Sequence, residues 1–379
     1  MNFSRRAGLG LAKIICVNLF FLEVGAFFSL LYLQEKGVVY YPPRILPQEY
    51  AEYVQIKDAA LGWPAPSKDT TETHPGQPPP CVSLYGDSFT YNGEVPYPYS
   101  WSNVLSRLLR CRVANFGAAG YGTDQAYLRF HNNTKDASKI AILGFTSENI
   151  LRNINQYRPL LYYNNLGAGK FGVKPRFILD HSGRLQLVPL PQFTYEEFLE
   201  MTRFPQRYLR YEYFLPGGPS GIAKREFPYA LTLVKVLTRN FHIRTKLTGV
   251  PWYQEFYGPD HPSGALPLTF GILSAFYLEA KQMQRIPVIV TIPTGLDLAY
   301  YTRYKKWPYE NLTRMLEAAG IGFLDAGPKI IEHLKGRDPK ELFDDYHSHF
   351  NTQGEKALAG IVYEYLKENN IPGLSYASE

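Results

Sequence analysis

The sequence predicts an α/β fold: a three-layer α/β/α core on a mostly parallel five-stranded sheet, with an N-terminal transmembrane helix and a large aromatic-rich insertion. Three observations predict it. Short apolar runs, of the kind that form strands buried on both faces, recur between residues 81 and 325 and alternate with helix-period stretches. Loops rich in glycine, hydroxyl and amide residues follow three of these runs directly, as at the carboxyl edge of an open sheet. Ile14 to Leu33 is almost wholly apolar, and about 20 residues suffice to cross a bilayer as a helix.

The apolar stretch comes first in the chain. Arg5, Arg6 and Lys13 precede it, so the positive-inside rule keeps the N-terminus cytoplasmic and puts the rest on the extracytoplasmic, periplasmic side. No small-residue cleavage site follows, which makes residues 1–36 a single-pass signal anchor. Glu23 and Asn18 are costly in lipid and point to a partner helix. Residues 37–80 are a Tyr/Pro-rich juxtamembrane segment ending in a polar, proline-rich linker.

The globular domain is expected over residues 81–370, with a C-terminal tail at 371–379. Cys81 to Tyr85 is the first strand and Trp101 to Arg110 a helix. Arg112 to Phe116 is the second strand, Thr123 to His131 a helix, and Lys139 to Gly144 the third strand. Residues 150–269 break the rhythm as an insertion dense in Tyr, Phe and Pro. One hairpin is legible there, Arg176 to Leu179 and Leu185 to Val188 around a turn at Asp180 to Gly183. Phe270 to Gln284 carries a helical stripe at Ile272, Leu273, Phe276, Tyr277 and Ala280. Ile286 to Ile292 is the fourth strand, Tyr309 to Ala319 a helix, Gly322 to Asp325 the fifth strand, and Ala357 to Leu366 the closing helix.

Composition narrows the function. At 379 residues the chain buries a large core, and with 45% hydrophobic and 20% charged residues it is globular outside the anchor. A net charge of +6 with no concentrated Lys/Arg run gives no nucleic-acid patch. No metal-ligand spacing and no phosphate-cradling glycine loop occur, so no cofactor is expected. Gly117, Gly120 and Gly122 follow a strand but lack the dinucleotide-binding order. Of the three cysteines, Cys16 lies in the apolar span. Cys81 and Cys111 begin two strands and read as buried thiols that would pair only in an oxidising compartment.

The chemistry lies in loops that a parallel sheet would bring to one rim. Gly86-Asp87-Ser88 follows the first strand, Asn115-Phe-Gly-Ala-Ala-Gly120 the second, Gly144-Phe-Thr-Ser-Glu-Asn149 the third, and Asp344-Asp-Tyr-His-Ser-His349-Phe-Asn-Thr-Gln-Gly354 the fifth. Acyl transfer needs a nucleophile, a base within hydrogen-bond reach, and donors aimed at the developing oxyanion. Ser88, a histidine of the last loop, a glycine N–H and an amide side chain supply these parts. Each residue also has a structural reading: Gly120 as a turn glycine, Asn149 as a helix cap, Thr352-x-x-Glu355 as a capping box.

These blocks resemble those of the SGNH/GDSL hydrolase superfamily. Gly86-Asp87-Ser88-Phe89 matches its first block, Gly117 to Gly120 its second, Asn149 its third, and His349-Phe-Asn-Thr-Gln-Gly354 its last. The resemblance covers residues 81–366 outside the insertion. It implies Ser88 as nucleophile, His349 as general base, and an oxyanion hole of the Ser88 and Gly120 N–H groups with the Asn149 side chain. The third block departs from the family pattern, reading Ser147-Glu148-Asn149-Ile150. So does the acid: the family's usual position before His349 holds Tyr346 or His347. Either His349 is the base with Asp345 or Asp344 orienting it, or His347 is the base with Asp344. The implied reaction is hydrolysis of a small O-acyl (acetyl) ester. The substrate would be an acylated glycan of the envelope or an exported polysaccharide, or else a lipid or simple ester. Two rivals are an O-acyltransferase accessory fed by a polytopic membrane acyl-donor protein, and a non-catalytic glycan-binding domain.

Overall fold

The computed structural model describes residues 2–161, 167–344 and 349–374. The chain divides into two compact units. One comprises residues 1–54, 157–172 and 192–248; the other comprises 55–156, 173–191 and 249–379. The insertion is thus shared between them, and so is the segment between anchor and first strand.

The larger unit is built on a sheet. Its strands are β1 (Val82–Tyr85), β2 (Val113–Asn115), β3 (Ile140–Thr146), β6 (Ile286–Ile292) and β7 (Phe323–Asp325), with the hairpin β4 (Arg176–Leu179) and β5 (Leu185–Val188) apart. The five-stranded sheet runs β2-β1-β3-β6-β7 with every pair parallel. The chain steps from β1 to β2 on one side and then crosses back to β3 on the other. The crevice at that reversal, beyond the carboxyl ends of β1 and β3, is where such sheets hold ligands.

Alternation along the strands sorts the core into two layers. Val82, Leu84, Ile140, Ile142, Val288 and Val290 pack with the helices Trp101–Leu109, Ala326–Leu334 and Thr352–Glu368. On the opposite face Tyr85 stacks on Phe116 and meets Phe130 edge-on, and Phe130 meets Phe276 from the helix Ala265–Gln282. The helices Pro47–Ile56, Tyr195–Arg203, Tyr229–Arg239 and Phe241–Thr248, in stretches read as linker and insertion, were not legible in the sequence, and neither were two long helices of the sheet unit. Gly295–Tyr304 is started by a capping box at Thr294 and Asp297, and Ala326–Leu334 is capped by Asp325 with Pro328 in its first turn. Glycine and proline there read as loop, although proline is well tolerated in a first turn.

Cys81 and Cys111 form a disulfide, with Cα atoms 6.1 Å apart. This corrects their reading as separate thiols. They precede β1 and β2, which are direct neighbours with Val82 opposite Val113. That adjacency is a property of the sheet order.

The smaller unit begins with the helix Asn2–Glu35, in which Ala12–Glu35 is long and apolar enough to cross a membrane. Asn18 donates to the Ile14 carbonyl of its own helix at 2.8 Å. The Glu23 carboxylate accepts the backbone N–H of Tyr229 at 2.5 Å, at the start of the helix Tyr229–Arg239. Asn18 and Glu23 therefore both find partners within the chain, and the helix that Glu23 meets is Tyr229–Arg239 of the same chain. The aromatic residues form a core of their own: Tyr53 stacks on Phe171, and Tyr50, Tyr157 and Phe171 surround Phe198.

Candidate active site

Ser88 opens a four-residue helix, Ser88–Tyr91, straight after β1 and Gly86-Asp87. The turn requires glycine. A Cβ on Gly86 would lie 2.1 Å from the Thr90 hydroxyl and 2.8 Å from the Gly144 carbonyl. Asp87 caps the helix, accepting the Phe89 N–H at 2.9 Å, and its other oxygen takes the Thr146 hydroxyl and Arg152. Asp87 is fully buried and serves structure. Ser88, 8% exposed, is left facing the rim.

His349 stands just before the helix Thr352–Glu368, and its Nε2 lies 2.7 Å from Ser88 Oγ across a separation of 261 residues. Its ring packs against Phe89, with centroids 4.7 Å apart. Asn351 caps the helix, accepting the N–H groups of Gln353 and Gly354. This corrects the expected box at Thr352 and Glu355. Glu355 turns inward instead, where one oxygen accepts the Trp101 N–H at 2.7 Å and the other the Asn92 amide. Burial pushes its pKa up to about 8, against those two hydrogen bonds.

The carboxylate beside His349 is one that the sequence did not nominate. Glu94 Oε1 lies 3.0 Å from His349 Nδ1. Its hydrogen bond with His349 holds the Glu94 carboxyl below the usual range, with burial opposing. Glu94 follows the helix that Ser88 opens, and Asn92, in the left-handed region at φ 54°, turns the chain back before Gly93. Asn-Gly is a turn signal and could have been read as one returning Glu94 to the rim. Of the expected acids, Asp344 is exposed. Asp345 lies outside the described residues, as does His347, the alternative base.

Three loops are tied together by a second residue that the sequence did not nominate. Arg152 is 5% exposed and reaches Asp87 after β1, the Tyr121 carbonyl after β2, and Glu148 after β3. Behind it, Ser147 donates to Asp297 at 2.6 Å, and Tyr257 donates to the Ser147 carbonyl at 2.6 Å. Asn115 fixes the second block by donating to the Thr90 carbonyl and accepting the Gly117 N–H. Gly120 has φ 77°, a conformation that suits glycine. Asn149 begins the helix Asn149–Arg152 and is fully buried, with both side-chain amide atoms lacking a partner among the described residues. An orphaned buried amide is costly unless something meets it in use.

With Ser88 O–H donating to His349 Nε2 and Nδ1–H donating to Glu94, the serine is arranged to lose its proton to the imidazole. The described residues contain no group of three or more His, Cys, Asp or Glu that could hold a metal ion.

No protein-family model matches the chain, and no curated protein matches it. Solved structures do. A member of the lipolytic G-D-S-L family from Veillonella parvula is 13% identical at a TM-score of 0.34, covering 76% of this chain and 97% of its own. AlinE4, an SGNH-hydrolase family esterase, is 14% identical at 0.32, covering 79% and 100%. A Lactobacillus plantarum protein is 10% identical at 0.38, covering 76% and 97%. The four blocks, which resemble in sequence those of SGNH/GDSL hydrolases, stand in order along the carboxyl edge of the parallel sheet.

Proposed function

We propose that the chain is a membrane-anchored serine ester hydrolase of the SGNH type that cleaves a small O-acyl group. One observation carries the reading: Ser88 Oγ, the His349 ring and Glu94 lie in a chain of 2.7 Å and 3.0 Å contacts on the sheet's rim. Ser88 Oγ attacks the ester carbonyl carbon as its proton passes to His349 Nε2. Glu94 holds Nδ1–H and balances the imidazolium. The negative charge gathers on the carbonyl oxygen, facing the N–H groups of Ser88 and Gly120 and the Asn149 amide, whose donor is otherwise unmet. His349 returns the proton to the departing alcohol. Water then cleaves the acyl-serine by the same route, releasing the carboxylic acid.

Glu94 takes the role of the acid that the sequence reading sought at Asp345 or Asp344. The serine–histidine–carboxylate alignment favours catalysis over a glycan-binding module. The substrate class proposed is an O-acetylated glycan of the cell envelope, supported by the anchor. The disulfide supports an extracytoplasmic site, because such bonds persist in oxidising compartments. The aromatic residues of the insertion lend the glycan little support, since many are spent on core packing.

A fluorophosphonate probe and a chromogenic acetyl ester test the reading. The wild type should be labelled at Ser88 and release acetate, and Ser88→Ala should lose both, with turnover down about a thousandfold or more. A folded wild type inert to both reagents overturns it. Acetate release from an acetylated glycan supports the glycan assignment, and turnover of simple esters alone removes it.

A further inference from the structure

The helix Tyr229–Arg239 has three distinct faces. Tyr229, Leu233 and Val236 pack on the apolar helix and its exit, against Leu30, Leu33, Val38 and Val39. Thr232, Lys235 and Arg239 line a groove of about 90 Å³ together with Lys224 and Glu226, so the helix's own two charges lie on one side, while Arg225 before it lies over the Phe27 ring. The third face is apolar and open: Leu231 is 52% exposed, Val234 55% and Leu237 49%. Thr238, on the same side, donates its hydroxyl to the Val234 carbonyl at 2.8 Å, leaving no unmet donor there. Phe227, just before the helix, is 73% exposed.

The depth of this helix decides what covers that face. Its first N–H groups meet Glu23, and the ring of Tyr229 lies 5.1 Å from that of Phe27. Glu23 is close to the middle of the apolar stretch Ala12–Glu35, about 17 Å from either end at about 1.5 Å per residue. Val236, further on, meets Leu30 and Val39. The helix therefore runs beside the outer half of the span, and its open face is exposed and apolar, as Phe20, Phe21 and Phe28 are on the anchor itself.

We propose that residues 227–248 are a second membrane-embedded element, and that a phospholipid bilayer covers the face of Leu231, Val234 and Leu237. The proposal rests on the anchor reading. A carboxylate in mid-span is tolerated when it meets donors, and the free N–H groups of a helix start supply them. Lys235 and Arg239 come successively nearer the end of the span, where long cationic side chains reach phosphates. The helix Phe241–Thr248 follows, with Arg244, Lys246 and an 81% exposed Leu247, a composition suited to the interface.

Depth-resolved quenching tests this on the full chain with Cys16→Ser and the disulfide intact. Single cysteines replace Phe21, Leu231, Leu237 or Ser182, each carrying an environment-sensitive fluorophore, in dilute phosphatidylcholine–phosphatidylglycerol vesicles. The label at Leu231 should be quenched best by a nitroxide near the bilayer centre and that at Leu237 by a shallow one, with Ser182 untouched. Quenching at Phe21 with Leu231 behaving like Ser182 overturns the proposal and leaves the anchor standing. No quenching at Phe21 overturns both. A Leu231 label shielded from aqueous iodide yet unquenched by lipid overturns it in favour of a protein partner or second copy. On the unsubstituted chain, hydroxyl-radical oxidation of Phe227 should be suppressed in the same vesicles; oxidation at the rate of an exposed loop residue overturns the proposal without any variant.

Discussion

Charged side chains find partners in both units of the chain, but on different terms: Asp87 and Arg152 are buried, and Glu23 is half-buried. In the sheet unit, Arg152 and Asp87 sit among contacts from three separate loops, each end of the pair meeting several partners. In the anchor unit, Glu23 meets only the backbone N–H groups of one helix start among its described partners. Buried ion pairs add little net stability and are costly to break, so the sheet unit gains geometry from its pair: three loops held in register around Ser88. Glu23 satisfies a single carboxylate and joins two helices. Loss of a partner should accordingly be severe in the first region and mild in the second.

The largest expected effect breaks the sheet-unit network. Arg152→Met leaves Asp87 and Glu148 without their cation and should lower stability by about 3–5 kcal/mol, read as a fall in thermal midpoint. A midpoint unchanged in Arg152→Met would mean that the three loops hold themselves. Next, Glu94→Gln keeps shape but removes the charge beside His349. Because Glu94 is 45% exposed, a fall in kcat of about ten- to a hundredfold is expected, with KM and thermal midpoint little changed. An equal loss in Asp344→Asn instead would move the acid back to the last loop.

Glu355 sharpens the comparison through pH. Its carboxyl is raised from the ordinary 4.5 to about 8, so the folded chain holds a proton that the unfolded chain releases. Its contribution to stability is greatest below about pH 4.5 and is lost as pH rises toward 8. Glu355→Gln should flatten that slope, with the difference in melting temperature between variant and wild type growing from pH 5 to pH 8. A constant difference would show that Glu355 is ionised in the fold. The smallest effect is expected at Glu23→Gln, which keeps an acceptor for Tyr229. Hydrogen exchange over residues 229–233 should quicken only slightly, whereas Glu23→Leu should expose the helix start at a cost of about 1–3 kcal/mol. Equal exchange in both variants would remove Glu23 from its role.

Period and order were legible from residues alone, because they are local. Strand runs such as Ile286–Ile292, the helix Trp101–Leu109, the hairpin β4–β5 and the apolar span all announce themselves within a few residues of their own position. The order of the blocks named Ser88 and His349 before any distance was known. Partners chosen across the fold were not legible. Glu94 meets His349, Cys81 meets Cys111, Arg152 meets Asp87 and Glu23 meets Tyr229. Each pairing depends on which strands are neighbours and how a loop turns, and neither is written in the spacing of residues along the chain. Side-chain chemistry is carried by the sequence, whereas the choice between several chemically equivalent carboxylates is a matter of distance, which only the packed chain sets.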